Sequence, residues 1–331
     1  MDINFEIKNN TGLIILNRPK SLNALNLKMA QDFALKLEEW KSNKAIHRVL
    51  LIGEGNHFCA GGDVKSVHLS GNLSDLKKQF FLTEYKLNLS IYNFPKPYLS
   101  IWKGVVMGGG VGLSLYGDYR VVTKSSKFAM PETAIGFFPD VGGSFFLSRL
   151  NYNIGVFLGL TGHVLNSSEM LELGLATHYC PEDEIDNLVQ HFINSGDIKK
   201  FIQNSQNKSA IFEKREIIDK CFAGNIKDIF NNLKNSSLKE YYFDNLIKKC
   251  PMSLAVTVEL LKKGKSKSIQ ECLEMEYKLS QMMVNRNDFA EGIEAVLIKK
   301  NHNPNWNPKS IDTINLKEID DFLETNTSQI F

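Results

Sequence analysis

Apolar and polar positions alternate over residues 3–8, and Gly12-Leu13-Ile14-Ile15-Leu16-Asn17 follows as a nearly unbroken apolar run, so the chain opens on a β-hairpin. Asn26 stands where a helix N-cap belongs, ahead of Met29, Phe33, Leu37 and Trp40 at helical spacing, which predicts a helix to about Lys41. Val49-Leu50-Leu51-Ile52 reads as a short strand ending at Gly53. A loop from Gly55 to Asp63 leads into a helix, and another helix covers roughly 75–93, stopping before Pro95 and Pro97. A strand over Tyr98–Trp102, a glycine run at 108–112, a helix near 111–116 and a strand over 118–123 follow. Strands and helices alternate, and a strand–glycine-loop–helix unit occurs twice. This predicts an α/β fold with a mostly parallel or spiral sheet. From about residue 183 strand signals fade and amphipathic helices take over. Gly196 and the polar stretch to about Ala210 mark a boundary or insertion. The region from Trp306-Asn307-Pro308 onward reads as peripheral.

Against this pattern, two kinds of segment carry candidate chemistry. The first is the run Met130-Pro131-Glu132-Thr133-Ala134-Ile135-Gly136-Phe137-Phe138-Pro139-Asp140-Val141-Gly142-Gly143. It sets two carboxylates on either side of a turn, among apolar residues and with no Lys or Arg beside them. Burying such acids is costly, and acids whose surroundings push their pKa values apart do acid–base and acyl chemistry near neutral pH. The same residues also suit local structural work: Glu132 beside Pro131 in a first helical turn, Asp140 after Pro139 in a turn.

The second kind is the pair of glycine loops, Ala60-Gly61-Gly62-Asp63 and Gly108-Gly109-Gly110-Val111-Gly112. Glycine lets backbone approach a ligand, and free N–H groups at a helix start favour developing negative charge. Two converging loops would form an oxyanion hole, with one donor worth about 3 kcal/mol of barrier. Each loop alone reads first as a tight turn that allows close packing. The nucleotide motifs fail: 108–112 does not fit GxGxxG, and Gly264-Lys265-Ser266 lacks the upstream glycine of a P-loop.

Bulk properties narrow the field. Of 331 residues, 43% are apolar, enough for a large core, and 39 basic residues against 37 acidic ones leave no field to favour nucleic acid or an anionic membrane. Five scattered cysteines without CxxC spacing support neither a disulfide framework nor a zinc site, so no metal is expected. The acidic start shows no leader pattern, which points to a cytoplasmic protein, although a trimmed mitochondrial chain would read the same. No apolar run approaches the roughly 20 residues needed to span a bilayer. His57 and His68 read as loop or surface histidines, Cys59 as a packing residue, Asp63 as a cap, and Arg149, Lys103 and Lys299 as solvated charges.

Asn23-Ala24-Leu25, Phe58-Cys59-Ala60-Gly61-Gly62-Asp63 and Met107-Gly108-Gly109-Gly110-Val111-Gly112 resemble the crotonase (enoyl-CoA hydratase/isomerase) superfamily. Pro131-Glu132-Thr133-Ala134-Ile135-Gly136 and Pro139-Asp140-Val141-Gly142-Gly143 resemble its 3-hydroxyisobutyryl-CoA hydrolase branch. The likeness continues through Met275-Glu276-Tyr277-Lys278-Leu279-Ser280 and Asp288–Ile298, so it covers roughly residues 5–308.

This resemblance implies a crotonase-like spiral of ββα units over residues 1–195, with a helical cap or oligomerisation region over 196–331. It implies that the N–H groups of Gly62 and Gly109 bind the thioester oxygen. Asn23, Ala24, Leu25, Ala60, Gly61, Asp63 and Gly108 would line the coenzyme A site, and Glu132 and Asp140 would be the catalytic carboxylates. Phe289 and the helices around it would cover the adenine. The partner is a small acyl-CoA ester, with coenzyme A as part of the substrate and no separate cofactor, and a homo-oligomer is compatible with the family. The implied activity is hydrolysis of a short 3-hydroxyacyl-CoA in valine catabolism. One departure bears on the reaction: a hydratase needs a second glutamate three residues past the oxyanion-hole glycine, and here that position is Gly112. Another crotonase reaction and a non-catalytic structural subunit are the competing readings.

Overall fold

The computed structural model describes residues 1–71, 75–201, 209–324 and 330–331, without the side chain of Lys200. The chain divides into two compact units, each assembled from three segments. One holds Met1–Asp63, Lys86–Ala129 and Val164–Phe212; the other holds Val64–Tyr85, Met130–His163 and Glu213–Phe331.

The first unit carries the sheets. Strands β1 (Ile3–Lys8) and β2 (Thr11–Leu16) form the expected antiparallel hairpin, with Ile3 opposite Leu16. Next come β3 (Arg48–Gly53), β4 (Tyr98–Trp102), β6 (Tyr119–Val122) and β8 (His178–Tyr179), all parallel, in the order β1-β2-β3-β4-β6-β8. Buried strands of a parallel sheet read as continuous apolar runs, as Val49–Leu51 and Tyr98–Trp102 do. A second, two-stranded parallel sheet pairs β5 (Val105–Met107) with β7 (Lys127–Ala129), and the sequence pattern did not reveal it because strands of three residues are too short to show a period. Helix α1 (Leu27–Ser42) starts at Asn26, whose side chain accepts the Met29 N–H at 2.9 Å, and buries Met29, Phe33, Leu37 and Trp40. Trp40 lies flat over Gly12: a Cβ there would meet its ring at 2.4 Å, so β2 needs glycine at that position.

The helix after the second glycine loop is Gly109–Gly112, earlier and shorter than the expected 111–116. Gly108, at φ 45° and ψ −121°, makes the turn that ends β5 and starts this helix, and only glycine adopts that backbone readily.

The second unit is built of helices among its described residues. No strand occurs after β8 among the described residues, in line with the fading strand signal. The polar stretch 196–210 lies partly outside the described residues. The tail is not peripheral. Trp306, Ile311, Ile314, Ile319 and Leu323 are buried, the Trp306 indole N–H donates to the Lys248 carbonyl at 2.9 Å, and Lys263 pairs with Asp320 and Glu324. The helix Leu316–Glu324 is polar enough to read as surface, but its apolar stripe packs on Pro251–Gly264. Among the described residues no helix is long and apolar enough to cross a membrane.

Candidate active site

In the first unit, three segments of the sequence reading come together. After β3 the chain turns at Gly53, and the Asn23 side chain holds the loop by donating to the carbonyls of Glu54 (3.0 Å) and His57 (2.8 Å). Asn23 is fully buried at positive φ, so it is a tie between loops. Residues 58–59 then run beside β5: Phe58 N–H donates to Lys103 O, Cys59 N–H to Val105 O and Met107 N–H to Cys59 O. On the other side, Leu25 N–H donates to Gly61 O and Asp63 N–H to Leu25 O, while Ala60 N–H donates to Leu22 O.

This pairing brings the two glycine loops together. A Cβ on Gly61 would stand 3.6 Å from Gly109 N, and one on Gly110 would stand 2.6 Å from Cys59 O. The Gly62 N–H points out of the bridge it forms with Leu25, and the Gly109 N–H is the first of a helix, where no intrahelical acceptor exists. Among the described residues neither N–H has a hydrogen-bond acceptor. Two amide donors on adjacent loops are therefore left to act on a ligand.

Asp63 pairs with Arg18 at 3.0 Å, and the same guanidinium donates to Ala24 O at 2.7 Å. Arg18 thus clamps both segments, a role the sequence did not reveal. His57 accepts the Val105 N–H at 3.3 Å and is a loop residue. Cys59 is fully buried, a packing residue as expected.

The acids lie in the second unit. Glu132 opens the 3-10 turn Glu132–Ile135, closed by Gly136 at φ 72°. A Cβ on Gly136 would meet Asp288 O at 2.3 Å, so this turn is pressed against neighbouring backbone. Glu132 and Asp140 are 6% and 5% exposed, and Glu132 Oε2 is buried with no hydrogen-bond partner among the described residues. Asp140 Oδ2 accepts the Tyr85 O–H at 2.8 Å. The surrounding wall is aromatic: Phe137 stacks on Phe138 (4.5 Å) and Phe81 (5.2 Å) and meets Phe289 edge-on (5.8 Å). Phe289, 1% exposed, is a core residue with no face left to cover an adenine, which corrects that expectation.

Two further acids join them that the sequence reading missed. Glu84 is 2% exposed with Oε1 unpaired among the described residues. Glu276 is fully buried and accepts the Gly142 N–H (2.7 Å), the Ser144 N–H (2.8 Å) and the Ser144 hydroxyl (2.5 Å). It thereby fixes the turn just past Asp140, where Val141 and Gly142 both have positive φ. A signal for both was present in the helical period. Phe80, Phe81, Glu84 and Tyr85 share one face, as do Cys272, Leu273, Glu276 and Leu279, so each acid sits on an apolar stripe.

Four buried acids beside aromatic rings resist ionisation. Burial first, then the Asp140 charge, hold Glu132 well above the usual carboxylate range, and the Lys249 ammonium opposes this only in part. Burial and Asp140 do the same to Glu84. Burial lifts Asp140 to about 7 against the hydrogen bond from Tyr85, and lifts Glu276 to about 8 against its three donors. Near neutral pH the cluster therefore shares protons, the condition for a group that both gives and takes one. The Tyr85 bond favours the Asp140 carboxylate, so Tyr85→Phe raises the Asp140 pKa. If turnover needs that carboxylate, the acid limb of kcat/KM, near pH 7 in the parent, moves to higher pH in the variant. An unmoved limb would assign it to another group.

Among the described residues no cluster of three or more His, Cys, Asp or Glu has metal-site geometry. Arg149 is exposed, and its guanidinium also stacks on Phe145 and donates to the carbonyls of Phe145, Gly264 and Lys267.

A glycine-amide pair and a buried Glu132–Asp140 pair can also be compared with known proteins. The profile of the enoyl-CoA hydratase/isomerase family matches residues 11–323. This chain belongs to that family. The mitochondrial 3-hydroxyisobutyryl-CoA hydrolase of Xenopus laevis is 40% identical over 327 residues, covering 93% of this chain and 85% of the relative. The Homo sapiens protein of the same name is 36% identical over 342 residues, covering 98% and 89%. Among solved structures, a carnitinyl-CoA dehydratase from Mycobacterium thermoresistibile superimposes with TM-score 0.93 at 33% identity, covering 100% of this chain and 98% of that one. An enoyl-CoA hydratase from Rhodobacter sphaeroides 2.4.1 gives 0.92 at 33% identity, covering 98% and 97%. The crotonase-like α/β fold with a helical C-terminal region, implied by the motifs, is therefore the fold of this family member.

Proposed function

We propose that this family member is an acyl-CoA thioester hydrolase acting on 3-hydroxyisobutyryl-CoA or a related short 3-hydroxyacyl-CoA, in valine catabolism. The observation that carries this is the acid arrangement: Glu132 and Asp140 are both buried, with raised pKa values, while Gly112 stands where a hydratase would need its second glutamate. The name shared by the relatives from Xenopus laevis and Homo sapiens supports the same reading.

In this mechanism the N–H groups of Gly62 and Gly109 hold the thioester oxygen and stabilise the negative charge that grows on it. Asn23, Ala24, Leu25, Ala60, Gly61, Asp63 and Gly108 shape the coenzyme A side of the site through backbone. Glu132 acts in one of two ways. Its carboxylate attacks the carbonyl carbon, the C–S bond breaks, coenzyme A leaves as thiolate, and water hydrolyses the mixed anhydride; or Glu132 takes a proton from the attacking water. Asp140, held by Tyr85, binds the 3-hydroxyl as a carboxylate, takes up the proton that the hydrolytic water gives up and passes it to the thiolate. Single turnover in oxygen-18 water, followed by mass spectrometry of the Glu132 peptide, reads the difference, because label in Glu132 requires the anhydride.

The test of the reaction itself is release of free thiol from 3-hydroxyisobutyryl-CoA, followed with a thiol reagent. A site that bonds the hydroxyl leaves a buried acceptor unpaired with isobutyryl-CoA, so kcat/KM for the deoxy ester is expected to fall by roughly 10^4. The names of the two solved neighbours favour a second reading, hydration or dehydration of an enoyl-CoA. Water addition to crotonyl-CoA without thiol release from the hydroxy ester would establish that reading and end the first.

A further inference from the structure

The second unit holds a cavity of about 360 Å³ that the proposed mechanism does not use. Phe230, Phe243, Leu254 and Ile311 are among the residues that give it an apolar floor. Lys227, Lys234, Lys249 and Lys309 line it, against a single acid, Asp312. Asp312 is already engaged: its carboxylate accepts the Ser310 hydroxyl at 3.0 Å, while Lys227 donates to its backbone carbonyl at 3.2 Å. Among the described residues no carboxylate lies within ion-pair distance of Lys234, Lys249 or Lys309.

Like charges gathered on an apolar cavity repel one another, and an anion placed there relieves them. The volume is that of a small-ligand pocket, and the mix of apolar floor and a few charged groups is what such pockets show. No arginine lines the cavity, so the bidentate fork that favours phosphate is missing, while separate ammonium groups over an apolar floor suit a carboxylate on a short hydrocarbon body.

Glu132 does not line the cavity, but residues of its wall are linked to the Glu132 turn. The link is the Cys250 N–H, which donates to Thr133 O at 3.1 Å. Lys249, one residue before, is half-buried, lines the cavity and sets its positive charge against Glu132. Asp140 and Glu84, when ionised, act on Glu132 in the opposite sense. We propose that this cavity is a second ligand site, for a short apolar monocarboxylate, and that Lys249 couples its occupancy to Glu132. An anion that draws on the Lys249 charge leaves Glu132 facing Asp140 and Glu84 with less compensation, and Glu132 becomes harder to ionise. The coupling rests on the role given to Glu132 above; the site itself does not.

Hexanoate is the probe. Titration calorimetry and the fluorescence of Trp306, whose indole is bonded to Lys248 O beside the cavity, report binding without any need for turnover. Hexanoate is expected to bind, inorganic phosphate to bind at least tenfold more weakly, and Lys234→Ala/Lys309→Ala to weaken hexanoate about tenfold with basal activity unchanged. Hexanoate should also lower kcat with little change in KM, and in Lys249→Met it should still bind but leave kcat unchanged. Absence of binding, binding unaffected by the double variant, or phosphate binding as tightly as hexanoate would overturn the site. Binding that leaves kcat of the parent enzyme untouched, or competes with substrate, would overturn the coupling. Binding by a chain that releases no thiol from any acyl-CoA would remove the proposed reaction and leave the site standing.

Discussion

Glu132→Gln is expected to lower kcat by about a thousandfold or more while the variant still binds an acyl-CoA ester, and to melt at a higher temperature than the parent enzyme. Activity and stability move in opposite directions because the same burial serves one and opposes the other. The folded state holds the Glu132 pKa well above its unfolded value, so the folded protein binds the proton more tightly than the unfolded chain does. The stabilisation from that proton is fully present below the unfolded pKa and is lost as pH rises through the folded one. Glutamine never ionises and escapes the loss. The gain in Tm, roughly 2–5 °C, should therefore be small near pH 4.5 and widen as pH increases. Parallel kcat measurements and thermal melts at several pH values check both halves. Near-parental hydrolysis would remove Glu132 from the mechanism, and a Tm gain that shrinks with pH would contradict its buried, raised pKa.

Gly110→Ala should lower kcat/KM by about a hundredfold without unfolding the protein. Its Cβ would stand 2.6 Å from Cys59 O and 2.8 Å from Cys59 Cβ, and backbone cannot yield there as a flexible side chain would. The relief available is for the start of the helix Gly109–Gly112 to move away from the loop carrying Gly62. That spreads the two N–H donors, and losing one such donor is worth about 10^2–10^3 in rate. Gly12→Ala is the control: its Cβ would meet the Trp40 ring at 2.4 Å, a clash of similar severity in the sheet of the same unit. It should lower Tm while the folded fraction keeps its activity. Equal losses of activity per folded molecule in both variants would reduce the glycine pair to packing.

Much of the first unit was legible because its signals are local. The Asn26 cap, the α1 stripe, the opening hairpin and the parallel strands follow from residues within a few positions of one another. The two glycine loops were legible as loops, and Glu132 and Asp140 as acids in an apolar run. The tail was misread because the stripe Ile311, Ile314, Ile319, Leu323 is sparse among charges, and only the helix it packs on makes it core.

What the sequence determined by itself is the chemistry on offer: which acids lie in apolar surroundings, which glycines free a backbone amide, and which family the motifs belong to. What only the tertiary structure decided is which groups act on which. Tyr85 and Glu84 lie some fifty residues before Asp140, and Glu276 more than a hundred after it, yet all three act on the Asp140 region. Arg18 and Asn23 reach across the chain to fasten the loop that carries Gly62. The physical reason is the range of the interactions. Propensity and capping depend on neighbours in sequence, whereas desolvation, charge coupling and the proximity of two amides depend on neighbours in space, which folding alone supplies.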